Sequence, residues 1–288
     1  MTTHLRLVLA GLIVASGTLT AAVAVTHDDG DVGTASMTPS EKGPYVALGD
    51  SCTAGPKIRG QTRDPAGCDR SDRNYPSYVV AGLGLKGTRF KDVSCSGATL
   101  DDLTGRQSTE DGTNAAQLTA LSEQTRLVTI GVGGNDIGFS SMIKRCVGMG
   151  ALHELVGSGK YISEDAPCAR QYGDDVQQKI EAAGERLSGT LGQIRRRAPE
   201  ARVYVVGYPA ILPSDSAECG REIPLAPGDV SFLRKQEQRL NTELRGRAEA
   251  AGMKYVDTYT PSEGHDACSA EGARWMADAV LRTARGSL

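Results

Sequence analysis

The chain has 288 residues and a formal net charge of −3 at pH 7. Hydrophobic residues make up 39% of it and charged residues 23%, a globular composition that excludes a largely disordered chain. The weakly acidic balance leaves no excess of basic residues for a nucleic-acid surface, so we expect no nucleic-acid partner.

The N-terminus predicts export. Arg6 precedes an apolar stretch of small residues, Leu7–Val25, which contains the A-x-A sequence Ala22–Ala24. A basic, an apolar and a cleavage segment in this order are typical of a secretory signal peptide, which we assign to residues 1–24. The alternative is a membrane anchor, because the stretch approaches the ~20 residues that span a bilayer. Glycine and threonine residues lower its hydrophobicity, so we favour cleavage, a flexible leader at residues 25–42 and no stable membrane insertion.

The cysteine content fits a secreted protein. There are seven cysteines, and in an exported protein we expect them to pair. An odd count leaves one over, and we expect this to be Cys52, next to Ser51. The residues alone leave the pairing of the other six open; these are Cys68, Cys95, Cys146, Cys168, Cys219 and Cys268.

From residue 43 onward, short apolar runs alternate with longer amphipathic segments. The predicted strands are Tyr45–Leu48, Thr88–Val93, Arg126–Ile130, Arg202–Val206 and Met253–Thr258. The predicted helices are Tyr75–Leu83, Ala115–Leu121, Ala169–Arg197 and Asp229–Ala251. This alternation predicts one α/β domain over residues 43–288, a three-layer α/β/α sandwich with a parallel sheet of about five strands. Such sheets bind their ligands at the C-terminal ends of the strands.

Two glycine-rich turns follow predicted strands and carry polar side chains. Gly49–Gly55 presents the Ser51 hydroxyl, and Gly131–Asp136 presents Asn135. A serine attacks an ester only with a base and with donors for the developing oxyanion. Asn135 is a candidate donor, and a backbone N–H of the loop Ser94–Ala98 is another. Either turn alone is more often a simple strand-ending loop, but both in order after successive strands favour a catalytic site.

Three other motifs do not support a function. The glycines of Gly82–Gly87 match a dinucleotide-binding pattern but precede a predicted strand instead of following one. His153 begins a zinc-binding pattern whose second histidine is replaced by Gly157. The nucleophile motif of α/β-hydrolases, G-x-S-x-G, does not occur. We therefore expect neither a metal nor a cofactor.

The two turns together resemble those of the SGNH (GDSL-type) hydrolases, and more narrowly the secreted bacterial lipases and esterases with three disulfides. Gly49–Ser51 is similar to the family's nucleophile block, Gly97 to its glycine block and Asn135 to its asparagine block. The resemblance implies that Ser51 is the nucleophile, and that the Ser51 and Gly97 amides and the Asn135 side chain form the oxyanion hole. The disulfides that it implies are Cys68–Cys95, Cys146–Cys168 and Cys219–Cys268.

One part of the family pattern is missing. The catalytic histidine of the family usually lies near the C-terminus in an H-P-N block, and this sequence has no such block. Among four histidines, His265 is the only C-terminal candidate for the base, and we expect it to lie outside hydrogen-bond reach of Ser51. Trp275, expected to be a packing residue, leads directly into Met276–Leu281, which is similar to the family's final helix.

These observations support a leading function and two alternatives. The leading hypothesis is a secreted, monomeric serine esterase or lipase that hydrolyses carboxylic (lipid or aryl) esters through Ser51. The alternative is a catalytically silent or weakly active relative that binds lipid or glycan, because the usual histidine segment is missing. Thiol chemistry at Cys52 is disfavoured, because in an extended turn its side chain points away from that of Ser51.

Overall fold

The computed structural model describes residues 43–156, 166–172, 175–215, 219, 223–270 and 272–275, with only the backbone at 152–156. The predicted signal peptide and leader, residues 1–42, lie outside these residues, as does the predicted final helix, which begins at Met276. Strands β1–β9 occupy Tyr45–Gly49, Gln61–Thr62, Arg70–Ser71, Phe90–Asp92, Gln107–Thr109, Gly112–Asn114, Leu127–Gly131, Arg202–Val206 and Lys254–Val256. Helices α1–α7 occupy Ser51–Ala54, Tyr75–Leu83, Leu100–Thr104, Phe139–Val156, Asp175–Arg197, Pro227–Ala250 and Tyr259–Ser262.

The predicted parallel sheet of five strands is confirmed. Its strand order is β4-β1-β7-β8-β9, and every neighbouring pair runs parallel. The chain passes from β1 outward to β4 and then returns to place β7 on the other side of β1. The order therefore reverses between β1 and β7, which is the switch point where open parallel sheets bind ligands. The other strands form two small antiparallel hairpins, β2–β3 and β5–β6.

Helices cover both faces of the sheet, which gives the expected α/β/α sandwich. Side chains alternate along a strand, so the residues of β1 point in turn to the two faces. Val46 and Leu48 belong to the larger core, which includes buried residues of α3, α4, α5 and α6. Tyr45 and Ala47 belong to a smaller core that packs against α2. All five residues of β1 are buried, as is usual for a strand in the centre of a parallel sheet.

Two of the predicted helices differ in the structure. The segment Ala115–Leu121 contains only a short 3₁₀ helix, Gln117–Ala120. The single helix expected over Ala169–Arg197 is divided into a 3₁₀ turn, Ala169–Gln171, and α5. Long-range hydrogen bonds explain the division. The Asp229 carboxylate accepts the backbone N–H groups of Cys168 and Ala169, and these bonds fix the 3₁₀ turn apart from α5.

The helix α4 was not predicted. Gly148 and Gly150 within it lower the helical propensity of the sequence. Packing compensates for this, because Met142, Cys146 and Val147 are buried in the larger core. At Gly150 a Cβ atom would lie 2.0 Å from the Pro224 carbonyl oxygen, so this glycine permits a close approach of two backbones.

The structure contains three disulfides, at the three pairs that the family resemblance implies: Cys68–Cys95, Cys146–Cys168 and Cys219–Cys268. Cys52 is a free, exposed cysteine. None of the described helices combines the length and the apolar character needed to cross a membrane.

Candidate active site

Ser51 is the first residue of α1 and follows the C-terminal end of β1 directly. The Asp50 side chain caps this helix, since its Oδ1 accepts the Cys52 N–H at 2.9 Å. The turn requires glycine at position 49, where φ is +148°. A Cβ atom there would lie 2.3 Å from Thr53 Oγ1 and 2.4 Å from the Gly131 carbonyl oxygen. The serine is therefore held on a tight strand-to-helix turn at the switch point of the sheet.

The loop that contains Gly97 is bonded to the end of β1. The Cys95 N–H donates to the Gly49 carbonyl at 3.0 Å. The Gln117 side-chain amide binds the same glycine at both backbone groups, accepting its N–H at 2.8 Å and donating to its carbonyl at 2.9 Å. Gly97 adopts φ +78°, in the left-handed region that favours glycine. The structure thus brings the glycine loop to the serine turn.

Asn135 lies on the turn after β7, which is bonded to the glycine loop. Its Nδ2 donates to the Ala98 carbonyl at 2.9 Å. The neighbouring Asp136 carboxylate accepts the Leu100 N–H at 3.1 Å and forms an ion pair with Arg186 at 3.1 Å. This bond holds the Asn135 side chain against the glycine loop. The turns that carry Ser51, Gly97 and Asn135 therefore meet at the C-terminal edge of the sheet.

Tyr208 is a member of this site that sequence analysis missed. It follows β8 and donates from its hydroxyl to Asp50 Oδ2 at 2.5 Å. The Tyr208 hydroxyl oxygen in turn accepts the Gly134 N–H at 2.8 Å. Burial raises the pKa of Asp50 from 3.8 to about 7, whereas the bonds from Tyr208 and from the Cys52 amide lower it. The available signal was the Gly207–Pro209 segment, a polar aromatic residue on a turn directly after a predicted strand.

His265 is not hydrogen-bonded to Ser51 among the described residues. Its Nδ1 lies 2.5 Å from the Ala273 carbonyl oxygen, which fits donation by an Nδ1–H. Its ring stacks on Trp275 with centroids 4.0 Å apart. The Trp275 N–H in turn donates to the His265 carbonyl at 2.9 Å. His265 is therefore engaged by its own C-terminal segment.

An apolar pocket of about 280 Å³ lies beside the serine turn. Its wall includes Cys52, Tyr75, Val206, Pro261 and Trp275. The expectation that Trp275 is a packing residue is wrong, because this side chain is 62% exposed. Trp275 stacks on His265 and lines the pocket, whereas His265 does not line it.

The surroundings of the Cys52 thiol disfavour its thiolate form. Cys52 is an exposed residue. Desolvation nevertheless raises the pKa of its thiol well above the ordinary value, and the nearby carboxyl groups of Asp50 and Glu237 raise it further. A thiol attacks as the thiolate, so a raised pKa lowers its reactivity near neutral pH.

Among the described residues, one group has the spacing of metal ligands: Cys146, Cys168 and Asp229. The two cysteines are joined in a disulfide, so their sulfur atoms are not thiolate ligands. The Asp229 carboxylate is already bonded to two backbone N–H groups. This group therefore has a structural role.

Comparison with known proteins gives the family. The model of the GDSL-like Lipase/Acylhydrolase family matches residues 47–280. Lipase 2 of Streptomyces coelicolor is 40% identical over 277 residues, covering 94% of this chain and 87% of that protein. A lipase of Streptomyces rimosus is 31% identical and covers 82% of this chain and 77% of its own length.

Solved structures agree with this. Phospholipase A1 from Streptomyces albidoflavus NA297 superposes with a TM-score of 0.62 at 27% identity, covering 81% of this chain and 86% of that chain. The extracellular lipase of Streptomyces rimosus superposes with a TM-score of 0.63 at 28% identity, covering 82% and 89%. The chain therefore belongs to the GDSL-like Lipase/Acylhydrolase family and is, by family, a carboxylic-ester hydrolase.

Proposed function

We propose that this chain is an exported serine esterase or lipase that acts as a monomer on carboxylic esters through Ser51. The observation that carries the proposal is the junction of three turns at the switch point of the sheet. Hydrogen bonds join the Gly97 loop to the end of β1 and the Asn135 side chain to the Gly97 loop. These bonds support the proposal that the Ser51 hydroxyl lies next to N–H donors for an oxyanion.

In the proposed reaction the Ser51 hydroxyl attacks the acyl carbon and forms a tetrahedral oxyanion. The backbone N–H groups of Ser51 and Gly97 and the Asn135 side chain stabilise that charge, which is the largest single contribution in many acyl transfers. Collapse of this intermediate releases the alcohol and leaves an acyl group on Ser51, which water then removes. The apolar wall of the neighbouring pocket suits the hydrocarbon part of an ester.

In the part of the chain that the structure describes, the site lacks the usual proton acceptor of the family. The sequence has no H-P-N block, and the Nδ1 atom of His265 is engaged by the Ala273 carbonyl. A hydrogen bond from Nδ1–H to a carbonyl favours the tautomer in which Nε2 is unprotonated, and this is the tautomer that can accept a proton. However, Trp275 and not His265 lines the pocket. We therefore propose that His265 takes no part in the reaction and that turnover is weak. A Ser–His enzyme that loses its histidine can lose about 10⁶ in kcat.

Export is supported by the disulfides, because such bonds persist in oxidising compartments. The extracellular lipase of Streptomyces rimosus is a relative with the same fold. Sequencing the N-terminus of the protein recovered from a culture medium would test the signal peptide. A mature chain that begins near Val25 is expected, and an intact Met1 in the membrane fraction would favour the anchor.

The catalytic proposal is tested with the mature chain on p-nitrophenyl esters of short and long acids. Hydrolysis should be slow, should fall to background in Ser51→Ala and should stay within about twofold in His265→Ala. Fast hydrolysis that His265→Ala abolishes would identify His265 as the base. No hydrolysis, together with no labelling of Ser51 by a fluorophosphonate, would favour the silent lipid- or glycan-binding alternative, which the named lipase and esterase relatives do not favour.

A further inference from the structure

A single phenolic hydroxyl connects the ends of three strands of the sheet. Tyr208, after β8, donates to Asp50 Oδ2 at 2.5 Å, and Asp50 directly precedes Ser51 after β1. The Gly134 N–H, after β7, donates to the Tyr208 oxygen at 2.8 Å, and Gly134 directly precedes Asn135. The residues before the proposed nucleophile and before the proposed oxyanion donor are thus bonded to the same oxygen atom.

Tyr208 is itself held in place from its backbone. The Asn241 side chain on α6 accepts the Tyr208 N–H at 2.8 Å and donates to the Tyr208 carbonyl at 2.9 Å. The preceding residue, Gly207, accepts the Thr258 hydroxyl at 2.7 Å. Tyr208 as a whole is 6% exposed. Its hydroxyl therefore has little freedom to move away from Asp50 and Gly134.

The Tyr208 ring approaches the Asn135 turn closely enough to crowd a side chain at Gly134. A Cβ atom on Gly134 would lie 3.2 Å from both Cζ and the hydroxyl oxygen of Tyr208. Such a distance is tighter than ordinary van der Waals contact, and the buried ring cannot withdraw easily. A larger residue at this position would therefore press on the ring of Tyr208.

We propose that Tyr208 is a positioning residue, which fixes the separation of the Ser51 turn and the Asn135 turn through Asp50 and Gly134. This inference rests on the proposed function. Oxyanion donors must lie ~3 Å from the oxygen that they stabilise. A displacement of about 1 Å can cost about 10²-fold in rate, so a fixed separation matters for kcat more than for substrate affinity.

The connection depends on the charge of Asp50. An ionised carboxylate accepts both the Tyr208 O–H and the Cys52 N–H, and it leaves the tyrosine oxygen free to accept from Gly134. The titratable groups that face Asp50 are Tyr208, the Cys52 thiol, Tyr75 and Asp136. Desolvation, followed by Asp50, raises the pKa of Tyr208 well above its ordinary value, so its hydroxyl stays protonated and remains a donor. Removal of this hydroxyl takes a hydrogen bond from the carboxylate and raises the pKa of Asp50 further.

The kinetic test compares Tyr208→Phe with Tyr45→Phe. Both variants lose one buried hydroxyl, but in the described part of the chain that of Tyr45 binds Thr129 and has no hydrogen bond to Asp50, Tyr208 or Gly134. In Tyr208→Phe, kcat should fall about 10- to 100-fold with little change in KM, and the acidic limb of the kcat–pH profile should move up by about one pH unit or more. Tyr45→Phe should keep both the wild-type kcat and the wild-type profile. Equal behaviour of the two variants would overturn the proposal.

A second measurement does not depend on turnover, and its first step needs only the wild-type protein. In the ¹⁵N-labelled wild-type chain, the Gly134 amide resonance should titrate with a midpoint near that of Asp50, because Tyr208 transmits the charge. The titration should persist in Tyr45→Phe and disappear in Tyr208→Phe. A wild-type Gly134 resonance that is constant between pH 5 and pH 9 would overturn the connection. If the wild type hydrolyses no ester, the proposed function fails, but the titration still tests whether Tyr208 connects Asp50 to Gly134.

Discussion

Glu237 provides a direct test of how burial controls the pH dependence of stability. It lies on α6 with 2% of its surface exposed. Its Oε2 accepts the Ile211 N–H at 3.2 Å, and in the described part of the chain its Oε1 has no hydrogen-bond partner. Desolvation raises the pKa of Glu237 from 4.5 to about 8, although the Ile211 N–H and the charge of Arg234 lower it. The folded protein therefore holds a proton that the unfolded chain releases at neutral pH.

The sign follows from the raised pKa. The contribution of Glu237 to stability is complete below pH ~4.5, where both states bind the proton, and it is lost as the pH rises through about 8. One pKa unit corresponds to about 1.4 kcal/mol, so the loss is at most about 5 kcal/mol above pH 8. Glu237→Gln removes the titration and keeps an acceptor for the Ile211 N–H. The variant should unfold at higher urea concentration than the wild type at pH 9.

The measurement is urea unfolding, followed by circular dichroism, at pH 5, 7 and 9. The advantage of Glu237→Gln should be several kcal/mol at pH 9 and should shrink towards zero at pH 5. Glu249→Gln, which removes an exposed carboxylate from the same helix, is the matched control and should follow the wild type. Asp50 acts in the same direction in all three proteins, so the difference isolates Glu237. Parallel stability curves for the two variants would refute this reasoning.

Two further predictions concern the disulfides and the serine turn. Replacing Cys219 and Cys268 together by serine should lower the free energy of unfolding by about 4 kcal/mol, because the bond closes a loop of 49 residues; no change in the urea midpoint would contradict this. Gly49→Ala should destabilise the fold by more than about 3 kcal/mol and abolish any hydrolysis, since its Cβ would meet Thr53 and Gly131. A wild-type melting curve for this variant would show that the turn can relax.

The sequence determined the elements that depend on local patterns. The strands at Tyr45, Arg126 and Arg202 were predicted to within two residues, because short apolar runs that end at glycine have few alternatives. The helix over Tyr75–Leu83 has the predicted bounds, with Asn74 as its N-cap and Gly84 at its C-terminal end. The family was also recognised from short sequence blocks. These blocks are local because the backbone of the serine and asparagine turns requires glycine at particular positions.

The tertiary structure alone decided the features that depend on distant residues. The bond between Asp50 and Tyr208 joins positions 158 residues apart, and no local pattern indicates such a partner. The division of the segment before α5 depends on Asp229, 60 residues further along the chain. The stacking of His265 on Trp275 and the exposure of that tryptophan depend on how the C-terminal segment folds back beside the sheet. Local sequence determines which backbone conformations are favourable, but burial and hydrogen-bond partners arise only when separate segments pack together.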